Sequence, residues 1–261
     1  MGYHRICRAC REGKLSLVVE KTLKLIELVA NGNRTLAGLV RDSGLSRSTT
    51  HRLLATLVSH GYLSYSHKRY ELGFRFLEMG EKKKRSLAFV DRLRPVLLGH
   101  AERIGDTIHL AILDGTDIIL IERIAGNREL QIRSHVGQRA PAFRTAVGKA
   151  LIGRRPTNTW NAFLQDVPPG YPKRPADIRN DFETARKHRF AIDYDEVSLG
   201  TCGIASAFRV GPSIDAAVSV NGATVYFPPE RMRELSSVIV QLAGELAGLI
   251  EAADMEYTLV T

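Results

Sequence analysis

Hydrophobic spacing changes near Thr107 in this chain of 261 residues, from a mainly helical part to one that begins with strands. Up to about residue 103 the apolar side chains recur every three or four residues, the spacing of helices with one buried face. From Thr107 they gather in short β-rich runs broken by turn residues. The length allows two domains, each with its own core. Charge divides near the same place. Residues 1–94 carry 19 Lys and Arg against 8 Asp and Glu, or +11 in a chain whose total is +9, which leaves −2 for the rest. A basic N-terminal part beside a nearly neutral C-terminal part points to a polyanionic partner for the former.

Within the basic part, Ser16 is placed to cap a helix whose buried face is Leu17, Leu23, Leu25, Ile26, Leu28 and Val29, ended by Asn31-Gly32-Asn33. Thr35 opens a short helix to Asp42, with Leu36, Leu39 and Val40 inward. Gly44 follows in a tight turn that wants positive φ. Ser46 caps the next helix, which runs to His60-Gly61. Two strands, Tyr62 to Tyr65 and Arg69 to Leu72, are joined by Ser66-His67-Lys68. Three helices and a hairpin form the winged helix-turn-helix pattern. On the third helix Thr50, Leu53, Leu54 and Leu57 share the inner face, which leaves Arg47, Ser48, Thr49, His51 and Arg52 outside on its first turns. Helix-turn-helix proteins place that part of the helix in the major groove, where Arg pairs with guanine and hydroxyls reach bases or phosphates. With Ser46 at the helix start and Lys68 and Arg69 on the wing, these are the candidate DNA-binding residues.

Residues 77–103 read as a single linker helix, in which Lys82 to Arg85 are an exposed face and Pro95 marks a start or kink. Beyond it, Thr107 to Leu113 and Asp117 to Ile124 form a hairpin about Asp114-Gly115-Thr116, and Leu130 to His135 reads as a third strand. Helices follow at Thr145 to Gly153 and Ala176 to His188. Strands return at Phe190–Tyr194, Gly203–Val210 and Ala216–Val220. A closing helix from Pro229 to Glu251 repeats Leu235, Val238, Ile239, Leu242, Leu246, Leu249 and Ile250 at helical spacing. This is an α+β chain: an arm at 1–15, a winged helix-turn-helix domain at 16–76, the linker at 77–103 and an α/β domain at 104–261.

Other classes fit poorly. No apolar run approaches the roughly 20 residues of a membrane-spanning helix. Met1 to Lys14 has no apolar core, so it is no secretory signal, and the expected place is the cytoplasm. Cys7, Cys10 and Cys202 are an odd count, against a disulfide scaffold. Cys7-x-x-Cys10 with His4 resembles half a metal site, but no second pair follows, so a mobile, reduced arm is the reading and no metal or cofactor is expected. There is no P-loop and no Gly-x-Ser-x-Gly elbow, and no histidine stands out as a base for Cys202, so an enzyme is not expected.

The chain resembles the IclR-type bacterial transcriptional regulators over roughly residues 16–250. The N-terminal likeness lies in Ser16 to Leu23, in Gly44-Leu45-Ser46-Arg47-Ser48-Thr49-Thr50-His51-Arg52-Leu53-Leu54, in Gly61-Tyr62-Leu63 and in Tyr70-Glu71-Leu72-Gly73. The C-terminal likeness lies in Thr145-Ala146-Val147-Gly148-Lys149-Ala150, in Asp193-Tyr194-Asp195-Glu196 with Leu199-Gly200, and in Ala216 to Gly222. The resemblance implies a winged helix domain, a dimerising linker helix and a GAF-like domain that binds a small, usually acidic organic effector. It implies double-stranded operator DNA as partner and a homodimer or tetramer as the working form. It also implies effector contacts from Ala146 and Val147, from Asp193, and from Ser219 and Asn221 on the last strand. The family's polar or sulfur-bearing position after Leu-Gly falls at Gly203, with Cys202 one place early. Ala207-Phe208-Arg209 stands where the family usually has Pro-Val. From the residues alone, Thr145 caps a helix whose free N–H groups suit a carboxylate, Gly148 allows backbone close to a ligand, and Ser219 and Asn221 share one sheet face.

Overall fold

The computed structural model describes residues 16–211 and 214–260, with side chains to Ala252. The Cys7–Cys10 arm lies outside the described residues. The chain separates into two compact units, with the division between Ala88 and Phe89.

In the first unit, helices α1 (Leu17–Ala30), α2 (Leu36–Ser43) and α3 (Arg47–Ser59) pack around Leu25, Val29, Leu39, Leu54 and Leu57, closed by Leu63 and Tyr70 from a two-stranded hairpin. Sequence sets the helix boundaries. The Thr35 hydroxyl accepts the Gly38 N–H at 3.2 Å and the Ser46 hydroxyl accepts the Thr49 N–H at 3.2 Å, each satisfying a first-turn donor. Gly44, at φ +72°, makes the exit from α2. Ser16 takes the capping position of α1 without a side-chain cap bond, and Leu17 and Leu23 are exposed rather than buried. Strands β1 (Leu63–Ser66) and β2 (Arg69–Leu72) meet at a two-residue turn, shorter than the three residues expected. His67 and Lys68 both hold positive φ, the type I′ geometry that matches strand twist.

The linker is not one helix. Helix α4 (Arg75–Arg85) ends in a turn at 86–88 and α5 (Phe89–Ile104) begins afresh. The Ser86 hydroxyl donates to the Lys83 carbonyl at 2.6 Å and the Leu87 N–H donates to that of Lys84, bonds that tighten the turn and stop the helix. Helix α4 buries none of its residues. Pro95 sits inside α5, not at its start, because Val90, Leu93, Leu97 and Ala101 bury one face and their packing outweighs a lost backbone bond.

The second unit is a six-stranded antiparallel sheet in the order β5-β4-β3-β8-β7-β6. Its strands are β3 (Thr107–Asp114), β4 (Asp117–Ile124), β5 (Arg139–Pro141), β6 (Ala191–Tyr194), β7 (Thr201–Gly211) and β8 (Ile214–Ala223). The strand expected at Leu130–His135 does not form. That stretch is irregular, and the edge strand is the shorter β5. One sheet face packs on α5 and on α9 (Pro229–Val260), whose Leu235, Ile239, Leu242, Leu246 and Ile250 are buried. Residues 229–252 are long and apolar enough on average to cross a membrane (mean hydropathy 1.4), but this buried stripe makes α9 a core helix of the sheet.

The other face receives α6 (Ala146–Arg154), followed by the one-turn α7 (Asn161–Leu164) and by α8 (Pro175–His188). Ala111, Ala191, Ala205 and Ala217 floor this side, and their small size lets α6 bury every residue from Ala146 to Gly153. Gly148 is required here, since a Cβ would stand 2.1 Å from the Ala142 carbonyl oxygen. The close approach it permits is to the chain's own backbone, not to a ligand.

The left-handed turn at Lys68 gives a first test. Lys68→Gly should raise stability by about 1 kcal/mol, seen as a higher midpoint in calorimetry, because glycine holds positive φ without the Cβ penalty. An unchanged or lower midpoint would contradict the turn geometry.

Candidate functional site

In the first unit most of the candidate residues are exposed. Arg47, Ser48, His51 and Arg52 are exposed on α3, and Lys68 and Arg69 are exposed on the hairpin. Ser46 is used differently from expectation. Its hydroxyl holds the start of α3, bonding Thr49 through both N–H and hydroxyl, so Ser46 and Thr49 shape the helix end. Ion pairing separates the arginines of this unit into two groups. Arg34 pairs with Glu71, Arg41 with Asp42, Arg75 with Glu78 and Arg85 with Glu81. Arg47, Arg52, Lys68 and Arg69 have no acidic partner among the described residues. Their charge is therefore uncompensated at the surface sequence reasoning assigned to DNA.

In the second unit a cavity of about 610 Å³ opens on the α6 face of the sheet. Strand register builds its floor. Asp193 on β6 stands beside Gly203 on β7 and then Asn221 on β8, while the next row runs Ala191, Ala205, Ser219 and His109 on β3. Val147, Asp193, Cys202, Ser219 and Asn221 line the cavity as expected, whereas Ala146 and Gly203 do not. Both have a role beneath it. The Ala146 N–H donates to Asp193 Oδ2 at 2.7 Å. A Cβ on Gly203 would lie 2.7 Å from Asn221 Oδ1 and 2.8 Å from Asp193 Oδ2, so glycine gives both side chains their room. Cys202 reaches the lining at its edge, with its Sγ 4.0 Å from Met232 Sδ on α9.

The start of α6 is not the open anion trap its sequence suggests. Asp193 takes the Ala146 N–H, and the Thr145 hydroxyl takes the Gly148 N–H at 2.9 Å. The Val147 N–H finds no acceptor among the described residues. Burial pushes the Asp193 carboxyl up to about 7, against the opposing pull of the Ala146 N–H and the Lys149 charge. Burial, reinforced by Asp193, pushes the Cys202 thiol up to about 12, so it stays protonated and is a poor nucleophile.

The remaining acids of the run hold the cavity rim. Asp195, at positive φ, accepts the Gly200 N–H at 2.6 Å. The half-buried Glu196 pairs with the fully buried Lys149 at 2.5 Å and with Lys173 at 3.0 Å, while Asp181 bridges both lysines at 2.8 Å. The Tyr171 hydroxyl donates to Glu196 Oε2 at 3.2 Å. Burial alone would lower Lys173, but its hydrogen bonds to Asp181 and Glu196 raise it overall.

Sequence reasoning missed His109, Arg133 and Ser134, which also line the cavity. His109 Nε2 is 2.8 Å from Ser134 Oγ, and the Arg123 Nε–H donates to the same oxygen at 2.9 Å. Burial, helped by Arg123, lowers His109 to about 4, so it is neutral at physiological pH. The one available signal was His109 as the only ionisable side chain within the apolar run Ile108 to Leu113. Among the described residues no cluster of His, Cys, Asp and Glu is arranged to hold a metal.

Comparison with known proteins agrees with both units. Residues 18–67 match the IclR helix-turn-helix domain, and residues 85–247 match the bacterial transcriptional regulator IclR C-terminal domain. The HTH-type transcriptional regulator XynR of Escherichia coli K12 is 30% identical over 79% of this chain and 86% of its own length. The transcriptional repressor IclR of the same organism is 25% identical over 86% of each chain. Among solved structures, IclR of Thermotoga maritima superposes with a TM-score of 0.68 at 23% identity, covering 89% of this chain and 98% of that one. An IclR homologue from Microbacterium hydrocarbonoxydans, solved with 4-hydroxybenzoate, superposes with a TM-score of 0.73 at 20% identity, covering 90% and 98%. The chain is a transcriptional regulator with a helix-turn-helix DNA-binding domain. It belongs to the IclR family.

Asp193 supplies the test of the cavity floor. Its folded value of about 7 lies above the unfolded value of about 3.9, so the folded state keeps a proton that the unfolded state has released. The stability this gives is full below about pH 4 and is lost as pH rises through 7. Asp193→Asn keeps an acceptor for the Ala146 N–H and removes the charge. Between pH 5 and 8 the variant should gain at least about 1 kcal/mol on the wild type in denaturant unfolding. A difference that stays constant across that range would contradict the buried, protonated carboxyl.

Proposed function

We propose that the chain controls transcription by binding operator DNA through α3 and the β1–β2 wing, and that a small organic acid in the α6-face cavity changes its affinity for that DNA. The observation that carries the DNA half is the uncompensated charge of Arg47, Arg52, Lys68 and Arg69 beside arginines that are each paired. Arginine at an exposed helix start is suited to guanine, and cations on a wing to phosphate.

A single recognition helix covers one half-site, so the working form is a homodimer or a tetramer on a repeated operator. Exposed Phe74, Leu77 and Met79 at α4 offer apolar surface for that association. The cavity supports the effector half. Its volume lies in the range of small-molecule sites, and its wall mixes apolar side chains such as Ile118, Leu120 and Val147 with polar and charged ones. The Microbacterium homologue's 4-hydroxybenzoate has a matching character: a flat apolar body with polar ends. The ligand works by selecting between two arrangements of the protein, and its effect on DNA affinity equals its differential affinity for them. The chain is not an enzyme in this reading, since a protonated Cys202 directed at Met232 has no partner base. It acts where the chromosome is, in the cytoplasm.

Arg47→Ala and Arg52→Ala should each weaken operator binding by about 1–3 kcal/mol in an electrophoretic shift assay, with folding intact. Footprints should show paired half-sites about one helical turn apart, or a multiple of it. Unchanged affinity in both variants, or a single half-site protected by a monomer, would overturn the reading.

A further inference from the structure

Positive charge in the second unit gathers in one layer. Residues 144–189, which carry α6 and α8, hold 10 Lys and Arg against 4 Asp and Glu, although the chain beyond residue 94 totals −2. Two of those acids are spent in the first half of α8, where Asp177 pairs with Arg174 and Asp181 with Lys149 and Lys173. Glu183 is exposed on α8 and forms no ion pair among the described residues. At the closing ends of α6 and α8 the balance is different. Arg155, Arg186, Lys187 and Arg189 have no acidic partner among the described residues.

A second cleft opens there, of about 280 Å³, and it shares no lining residue with the α6-face cavity. Arg154 from α6 and Arg186 and Arg189 from the end of α8 line it, over a floor of Ala150, Ala185 and Ala207. Their guanidinium groups are only partly used. Arg186 donates through Nε to the Gly153 carbonyl at 2.8 Å and through Nη2 to the Arg155 carbonyl, and its Nη1 has no partner among the described residues. Arg154 Nη2 reaches Asp215 Oδ1 at 3.3 Å, but the same oxygen also faces Arg209 Nε at 3.4 Å, so one carboxylate serves two cations. The Arg189 side chain is exposed and makes no hydrogen bond or ion pair among the described residues. Arg189 also holds φ +63°, in the left-handed position that closes α8 and favours glycine. An arginine kept where glycine fits better points to a use for its side chain. Ala207-Phe208-Arg209, the run that departs from the family pattern, supplies the small floor residue and the second cation on Asp215.

We propose that this cleft is a second ligand site, which takes a small phosphate monoester. A phosphoryl group carries nearly two negative charges at neutral pH and three acceptor oxygens, and guanidinium forks match it bidentately. A lone carboxylate offers half that charge and fewer acceptors to three converging arginines. The volume lies just under the range of drug-sized ligand sites, so the body attached to the phosphate is short, and the alanine floor gives it apolar contact. The site does not depend on the effector-binding reading. Helix α6 begins at the cavity, where the Ala146 N–H meets Asp193, and ends at the cleft with Arg154, about 12 Å further along its axis.

The test is titration calorimetry on the full-length protein with inorganic phosphate, glycerol 3-phosphate and glycerol. Both phosphates should bind, the ester more tightly, and glycerol should not. Arg189→Gly removes an exposed cation and relieves a left-handed residue, so folding is preserved and the thermal midpoint should be equal or higher. It should weaken glycerol 3-phosphate about tenfold. Arg154→Gln should weaken it similarly, and Arg189→Lys should keep part of the affinity. Lys187→Gln removes a neighbouring cation that does not line the cleft, and it should bind as wild type does. Operator affinity of Arg189→Gly, measured without phosphate, should be unchanged. Four results would each overturn the site: neither phosphate binding at millimolar concentration, Arg189→Gly binding the ester as wild type does, an equal loss in Lys187→Gln, which would mean attraction to the surface charge as a whole, or a matching loss of operator affinity, which would assign these cations to the DNA backbone.

Discussion

Helix α6 enters the sheet with its first turn buried, and buried helix starts must find acceptors for their N–H groups or lose several kcal/mol. Thr145 and Asp193 provide those acceptors from within the chain. The Asp193 bond also ties β6 to α6, and one turn on, Lys149 ties the same helix to the rim through Glu196. A fully buried ammonium is tolerated only because Glu196, Asp181 and the Ile192 carbonyl surround it. Floor, wall and rim of the cavity are thus fixed by one short helix. Its position rests in turn on four alanines beneath it and on Gly148 against Ala142.

Because the protein itself saturates most of the α6 terminus, polarity in the cavity is decided elsewhere. It comes from the strip Asn221, Ser219, His109 and from the irregular segment bearing Arg133 and Ser134. The same economy of charge governs the DNA-binding unit. There, local carboxylates neutralise Arg34, Arg41, Arg75 and Arg85, whereas Arg47, Arg52, Lys68 and Arg69 have no acidic partner among the described residues.

Local chemistry was legible in the sequence. Thr35, Ser46 and Thr145 cap the helices they were expected to cap, Gly44 makes its left-handed turn, and Ser219 and Asn221 share a face because strands have period two. Long-range placement was not. His109 meets Ser219 only through the pairing of β3 with β8, more than a hundred residues later, and no local pattern encodes that register. Leu130 and Ile132 alternate as a strand would, yet they face a cavity; alternation reports which side is covered, not what covers it. The even helical spacing through 77–103 concealed the stop at Ser86, which depends on a single hydroxyl and two backbone bonds. Counting from Leu199 singled out Gly203 and Cys202 as ligand contacts. Register makes Gly203 the space between Asp193 and Asn221, while Cys202 lines the cavity with its sulfur 4.0 Å from Met232 Sδ on α9.

The central claim is that the cavity and the DNA-binding face are thermodynamically linked. The direct measurement is a pair of titrations with the best-binding organic acid: operator affinity with and without the acid, and acid affinity with and without operator. Linkage requires the same factor in both directions, about 5- to 150-fold for couplings of the usual size. An acid that binds in the cavity and leaves operator affinity unchanged would contradict the account.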